Sequence, residues 1–418
     1  LISAKLPTNK FSLDTLWLVF SQGILYGSGL LINLFIGYKY GAAILGEFNQ
    51  ILGFYLILTT LISLGINNAI IQKISTQEPE NHQKIFSAGL FSTVTSGIFF
   101  TALVLLLTGS HPNLLSSENI AKGLFATALS FPFFNVNKNF MAYCTGIRNQ
   151  KLFANSRAFR WMVILLFILI VGFGSLQVSW LYFSFLAAEL ALSTFFFFRF
   201  RFLLTLNFEI HQIYQNLSFG IKSFVAEIFS IMNDKFDVVL LGYFLGSAEV
   251  GIYSFVTFFA KSLYIFPGIL QQNINPIIGK HWSGGKMDEL QEQLRKLRRT
   301  NLAVVSLQMF SIAAFYFVLT EYFQPEFKGT SPYLWLALLG AFVFATICWG
   351  GSVLVMVGKL RANIARTLLI LVFSIASIVV LSHIFGLWGG VWAMVLNAIF
   401  SFWMLFGFVR RETGIRLV

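Results

Sequence analysis

Charge is scarce in this sequence. Only 11% of its 418 residues are Asp, Glu, Lys or Arg, against 57% hydrophobic, and the mean hydropathy is +0.76. That leaves too little polar surface to cover a water-soluble globule, so an integral membrane protein is expected. Cysteine and histidine are also rare, at two and five residues. Cys144 and Cys348 both lie in apolar runs and no histidine sits in a pattern such as His-Glu-x-x-His, so neither a disulfide framework nor a metal site is indicated. No cofactor is expected. Gly246 and Gly251 have the glycine spacing of a phosphate loop, but Ile252 and Tyr253 stand where Lys and Ser or Thr are required, which excludes a nucleotide site of that kind. Alternation with period two is absent, which disfavours a β-barrel. Long outer loops are missing too, the longest being 110–122 and 321–330, whereas a glycan polymerase or ligase needs room there for catalytic groups.

What the sequence does have is apolar runs long enough to cross a hydrocarbon core of about 30 Å. Twelve are expected, at 13–36, 46–71, 84–108, 119–143, 154–174, 178–198, 216–241, 249–278, 300–320, 331–357, 364–384 and 387–409. The first is longer than a signal peptide's apolar core and leads directly into further spans, so cleavage is not expected. Lys and Arg are unevenly placed around these runs. With the N-terminus inside, 24 fall on inner segments, three (Lys39, Lys122, Lys328) on outer loops and two (Lys235, Lys261) within spans. Both termini are therefore expected to be cytoplasmic. The net charge of +12 is accounted for by topology and attraction to anionic membrane lipids, without a nucleic-acid partner.

The chain is also internally duplicated. Gly37–Phe48 and Gly242–Tyr253 share five of twelve residues at an offset of 205, and Cys144, Gly146, Arg157 and Ala158 match Cys348, Gly350, Arg361 and Ala362 at 204. Two collinear matches are hard to obtain by chance. Six spans per half is an even number, so both halves enter the membrane from the same side. The expected fold is all-α, with 12 transmembrane helices in two parallel six-helix bundles, 1–205 and 206–418, related by a pseudo-two-fold along the membrane normal. Such pairs of bundles rock around a midplane site in secondary transporters.

Intramembrane polar residues mark where that site could lie, because charge inside a bilayer is costly. Ser254, Thr257, Lys261, Tyr264, Gly268, Gln271 and Asn275 follow steps of three and four and form one face. Lys261 is a point charge suited to a phosphate, or a structural lysine paired with a neighbouring carboxylate. Its counterpart in the first half is Leu56. Glu227, Asp234, Lys235 and Asp237 crowd span 7; Lys235 is a further cavity candidate, and the three acids are candidates for coupling to a cation or for ion pairing with the lysines. Asn33, Lys39, Asn67, Asn68 and Asn273 are weaker cavity candidates, since membrane asparagines also serve as glue between helices. Lys138, Arg148, Lys151, Arg157 and Arg160 cluster near the inner surface, where topology explains most of them and Arg148 is a candidate for an inward-open cavity. Segment 284–300, with Met287, Leu290, Leu294 and Leu297 opposite five basic residues, is expected to lie as an amphipathic helix on the inner leaflet.

Several phrases resemble a known family. Gly41-x4-Gly46-Glu47-Phe48, Leu61–Asn67, Asp237-x4-Gly242–Gly246 with Gly251-Ile252-Tyr253, Gly358-Lys359, and Gly386–Gly390 are similar to the Wzx-type polysaccharide flippases. These belong to the MOP superfamily, which also holds multidrug extrusion transporters and lipid II flippases. The resemblance implies transfer of an undecaprenyl-pyrophosphate-linked oligosaccharide across a bacterial inner membrane by alternating access, for O-antigen or capsule assembly. It also implies glycan polymerase or assembly proteins as partners, and a proton or sodium gradient as a possible drive. A multidrug or cation antiporter is the alternative within transport, and a polytopic glycan polymerase or ligase the alternative outside it.

Overall fold

The computed structural model describes residues 8–110, 115–204 and 209–417. Among them every regular element is helical. In chain order these are α1 (Thr8–Ser63), α2 (Ile66–Thr76), α3 (Pro79–Ser110), α4 (Glu118–Ala128), α5 (Phe131–Gly146), α6 (Gln150–Phe173) and α7 (Ser184–Phe200). There follow α8 (Ile210–Phe244), α9 (Ser247–Lys261), α10 (Ile265–Ser283), α11 (Met287–Tyr322), α12 (Ser331–Ala345), α13 (Val353–Met356) and α14 (Leu360–Thr413). Large apolar side chains stand exposed along α6 (Leu166, Ile170, Phe173) and α11 (Leu307, Phe310, Phe317), the surface a lipid-facing helix presents.

Seven described helical stretches are long and apolar enough to cross a membrane, or eight if the bent pair α12 and Cys348–Met356 counts as one span. Four of the twelve expected spans follow one another in pairs with only a glycine break between them, 13–36 and 46–71 within α1 and 364–384 and 387–409 within α14. Helix α14 has 54 residues and would rise about 80 Å if straight, far more than one membrane thickness. It is broken at Gly386 (φ 57°) and α1 is broken at Gly41 (φ 86°), backbone conformations open to glycine. At the Gly386 break the chain doubles back. A Cβ on Gly389 would collide with the Leu381 carbonyl, although a straight helix would hold those residues about 12 Å apart.

Other expected spans are interrupted. Left-handed Leu64 and Gly65 separate α1 from α2, and a break at Leu129 and Ser130 separates α4 from α5, whose Pro132 sits in the first turn where the missing N–H costs nothing. A 3-10 turn at Ser262–Tyr264 divides α9 from α10, and another at Cys348–Gly350 lies in a 45° bend. Helix α8 is 35 residues long, but its charges keep it from reading as a purely apolar span.

The chain forms two compact units, Leu1–Phe35 with Ile51–Ile228, and Ile36–Gln50 with Phe229–Val418. In the first, Phe86, Phe140, Phe196 and Phe200 form an aromatic core with Ile66, Ile70 and Ile74; Phe140 and Phe196 stack at 5.1 Å. In the second, Ile274, Ile278, Trp349, Val353 and Leu405 form the core, together with Leu290 and Leu294. This last pair corrects the expected amphipathic helix on the membrane surface: the apolar face of 284–300 is covered by its own protein, and the segment continues directly into α11.

The duplicated segment has a defined role in the second unit. A Cβ on Gly46 would collide with the Ser247 carbonyl, and one on Gly251 with the Ala42 carbonyl. These four residues are two matched pairs of the repeat, so the copies pack on each other reciprocally, backbone against backbone. Glu326 completes the contact by accepting from the Ala42 N–H at 2.6 Å.

Candidate functional site

Helix α8 carries acids to two different places. Its later residues serve the second unit, where Lys261 closes α9. The Lys261 Nζ lies 3.1 Å from Asp237 Oδ2 and 3.6 Å from Asp234 Oδ1, and donates to the Asp234 carbonyl at 2.7 Å. Tyr253 Oη donates to the same Asp237 Oδ2 at 2.9 Å, and Lys235 Nζ reaches Asp234 Oδ2 at 3.2 Å. The geometry follows from helical spacing. Asp234 and Asp237 are one turn apart on α8, and Tyr253 and Lys261 share a face of α9 two turns apart. Two lysines balance two aspartates, which makes the cluster neutral. It is not sealed: the Lys261 side chain is 25% exposed and that of Asp234 49%.

Glu227, on the same helix, serves the first unit. Its Oε1 pairs with Lys138 Nζ at 2.8 Å and its Oε2 accepts from Asn68 Nδ2 at 3.2 Å, while Lys138 also donates to Ser63 Oγ at 3.1 Å. Of the acids placed together by sequence, Asp234 and Asp237 share one cluster and Glu227 belongs to another.

The remaining candidates are mostly satisfied locally. Thr257 Oγ1 donates to the Tyr253 carbonyl at 2.8 Å, and Asn33 Nδ2 to the Gly29 carbonyl at 2.7 Å. Asn67 Nδ2 donates to Asn68 Oδ1 at 3.1 Å. Asn275 Oδ1 accepts from Ser352 Oγ, Tyr264 meets Phe344 edge-on at 5.6 Å, and Gln271 lies against Gly351. Lys39 and Arg148 are exposed. The Asn273 side chain lies outside the described residues.

The inner basic group separates into individually partnered residues. Besides Lys138, Arg157 Nη2 donates to Gln22 Oε1 at 2.6 Å and Lys151 Nζ stands 4.8 Å above the Trp17 ring. Arg160 leads to a network missed in the sequence. Its Nε lies 2.7 Å from Oε1 of Glu189, an ion pair by distance, and its Nη2 donates to Oε2 at 3.2 Å. Tyr55 Oη at 3.0 Å and Asn137 Nδ2 at 2.7 Å also donate to the Glu189 carboxylate, whose residue is 1% exposed. A lone glutamate inside the apolar run 178–198 is a signal that could have found it.

Among the described residues no group of three or more His, Cys, Asp or Glu could hold a metal ion. What the Lys261 cluster can do is exchange partners: an arriving anion competes with Asp237 and Asp234 for the lysine, and frees a carboxylate for a cation.

A family model described as polysaccharide biosynthesis protein matches residues 13–280. No curated protein sequence matches the chain significantly. Solved structures do. The lipid II flippase MurJ in an inward closed conformation superposes with a TM-score of 0.73 at 15% identity, covering 94% of this chain and 87% of that one. The MATE multidrug transporter DinF-BH gives 0.70 at 15% identity over 99% and 97%. An inward-facing MATE family multidrug transporter of the MOP superfamily gives 0.72 at 12% identity over 93% and 96%. At these identities the likeness is one of fold.

Proposed function

We propose that this chain, which belongs to the polysaccharide biosynthesis protein family, is a flippase that moves a lipid-linked oligosaccharide across the membrane by alternating access. The family and the fold are those of membrane transporters rather than enzymes. The observation that carries the proposal is the Lys261 cluster, a membrane-embedded lysine held by two aspartates of the neighbouring helix and still partly open. Such a lysine offers an anionic headgroup a point charge while its internal counter-ions make the empty state tolerable. The substrate is an undecaprenyl-pyrophosphate-linked repeat unit for O-antigen or capsule. Asp234 and Asp237, released when the headgroup binds, couple the cycle to protons or sodium.

Twelve crossings in two parallel six-helix bundles, 1–205 and 206–418, with both termini cytoplasmic in a bacterial inner membrane, complete the reading. The internal sequence repeat supports the pseudo-two-fold, and the Lys and Arg bias supports the orientation. Deleting the gene and locating the lipid-linked repeat unit tests this. Build-up on the cytoplasmic leaflet is expected. Build-up on the outer leaflet would assign the chain to polymerisation or ligation, and normal glycan with altered drug sensitivity would assign it to drug export.

A further inference from the structure

Most cations within the membrane helices have been given a partner by the fold. Lys261 and Lys235 have aspartates, Lys138 has Glu227 and Arg160 has Glu189. Lys73, also buried, donates to Gln215 Oε1 at 3.1 Å. Arg366, in the second turn of α14, is different. It is only 9% exposed, and its one acceptor among the described residues is Asn363 Oδ1, one turn back on the same helix, at 3.0 Å from Nη2. Its Nε is buried with no hydrogen-bond partner, and among the described residues no carboxylate lies within ion-pair distance of it. A guanidinium has five N–H donors in a rigid fork. Among the described residues one of them, on Nη2, meets an acceptor.

Burying a charge without a counter-charge is among the costliest arrangements a fold can keep. Snorkelling to the headgroup region would relieve it, but a side chain nine-tenths buried is not snorkelling. One polar neighbour is unsatisfied. Asn233 of α8 is fixed beside this part of α14 by its bond to the Thr367 carbonyl at 3.1 Å, and its Oδ1 has no partner.

We infer that Arg366 is an anion site for a phosphate-bearing group, taken either from a lipid headgroup or from phosphate in solution. The fork of Nε and Nη binds two oxygens of one phosphate side by side. Asn363 takes one N–H of Nη2, leaving the Nε–H and the second N–H of Nη2 as the fork for the ligand. This deepens the transport reading by giving the pyrophosphate a residue on α14, and it rests on that reading only for the identity of the lipid.

The test uses the purified full chain in nanodiscs, comparing wild type, Arg366→Met and Arg366→Lys by thermal unfolding and by titration. The two arms are inorganic pyrophosphate added to phosphatidylcholine nanodiscs, and nanodiscs containing phosphatidylglycerol without added phosphate. Without anion, Arg366→Met is expected to melt above wild type, since an uncompensated buried charge has been replaced by an apolar chain of similar length. With anion, wild type is expected to gain stability by mass action. Arg366→Met should lose that gain, with affinity down by about tenfold or more, and Arg366→Lys should fall between them. A gain from pyrophosphate marks a phosphate from solution or substrate, and a gain from phosphatidylglycerol alone marks an ordinary lipid headgroup. The inference is overturned if neither anion stabilises wild type more than Arg366→Met, or, should the Met variant not fold, more than Arg366→Lys. The leaflet assay does not depend on this result, so either proposal can fail alone.

Discussion

The first unit holds Glu189 as the second holds Lys261, each a charge deep in the membrane part of the chain, but the two are finished differently. The Glu189 carboxylate takes Arg160, Tyr55 and Asn137 and is closed off. Lys261 takes Asp234 and Asp237, yet a quarter of its side chain stays open, and Asp234 is about half exposed. A saturated, sealed network stabilises one arrangement of helices and has nothing left to offer a ligand. An open, neutral cluster can change partners without leaving a buried charge stranded. On this contrast we propose that Glu189 serves the fold and Lys261 transport.

The largest expected effect falls on the sealed side. Glu189→Ala leaves the Arg160 guanidinium buried without its acid, costing about 3–5 kcal/mol, so folded protein should be lost from membranes. Normal protein with lost transport would instead move Glu189 into the transport machinery. Next is Lys261→Ala, which should abolish surface glycan at near-normal protein level, because Lys235 and Tyr253 remain as partners for the two aspartates. Unchanged glycan would remove Lys261 from the site. Asp237→Asn should follow, altering the dependence of transport on pH or sodium; simple loss of protein would make Asp237 structural.

A smaller, purely structural effect is expected at the crossing of the duplicated segments. Gly251→Ala forces a methyl into the Ala42 carbonyl and should cost about 1–3 kcal/mol, read as a lower melting temperature. The smallest effect is expected for Thr257→Val, since its hydroxyl bonds back to its own helix at the Tyr253 and Ser254 carbonyls, a loss of about 1 kcal/mol or less. A strong transport defect there would return Thr257 to the cavity wall.

Hydropathy revealed where one span gives way to the next, since Gly41 and Gly386 lie between expected spans, but not where a span is interrupted, because Gly65 is an ordinary member of an apolar run until its φ is known. The pairing of Lys261 with Asp234 and Asp237 was legible for two reasons: the face of Lys261 repeats at helical steps, and the acids are dense in one neighbouring span. Glu189 has no such neighbours in sequence. Its partners Tyr55, Asn137 and Arg160 come from three other helices, so only its isolation in an apolar run marks it. Arg366 was hidden by a sufficient explanation, since any arginine near an inner helix end satisfies the topology rule. Asn33 shows the reverse case, a polar residue in a span whose side chain turns to its own helix at Gly29.

The contrast between the two charges is tested most directly in proteoliposomes holding matched amounts of folded wild type and Lys261→Ala, by the fraction of lipid-linked oligosaccharide that reaches the opposite leaflet. Wild type is expected to move it and Lys261→Ala to leave it at the protein-free level. Equal transfer by the two proteins would contradict the assignment of transport to the open cluster.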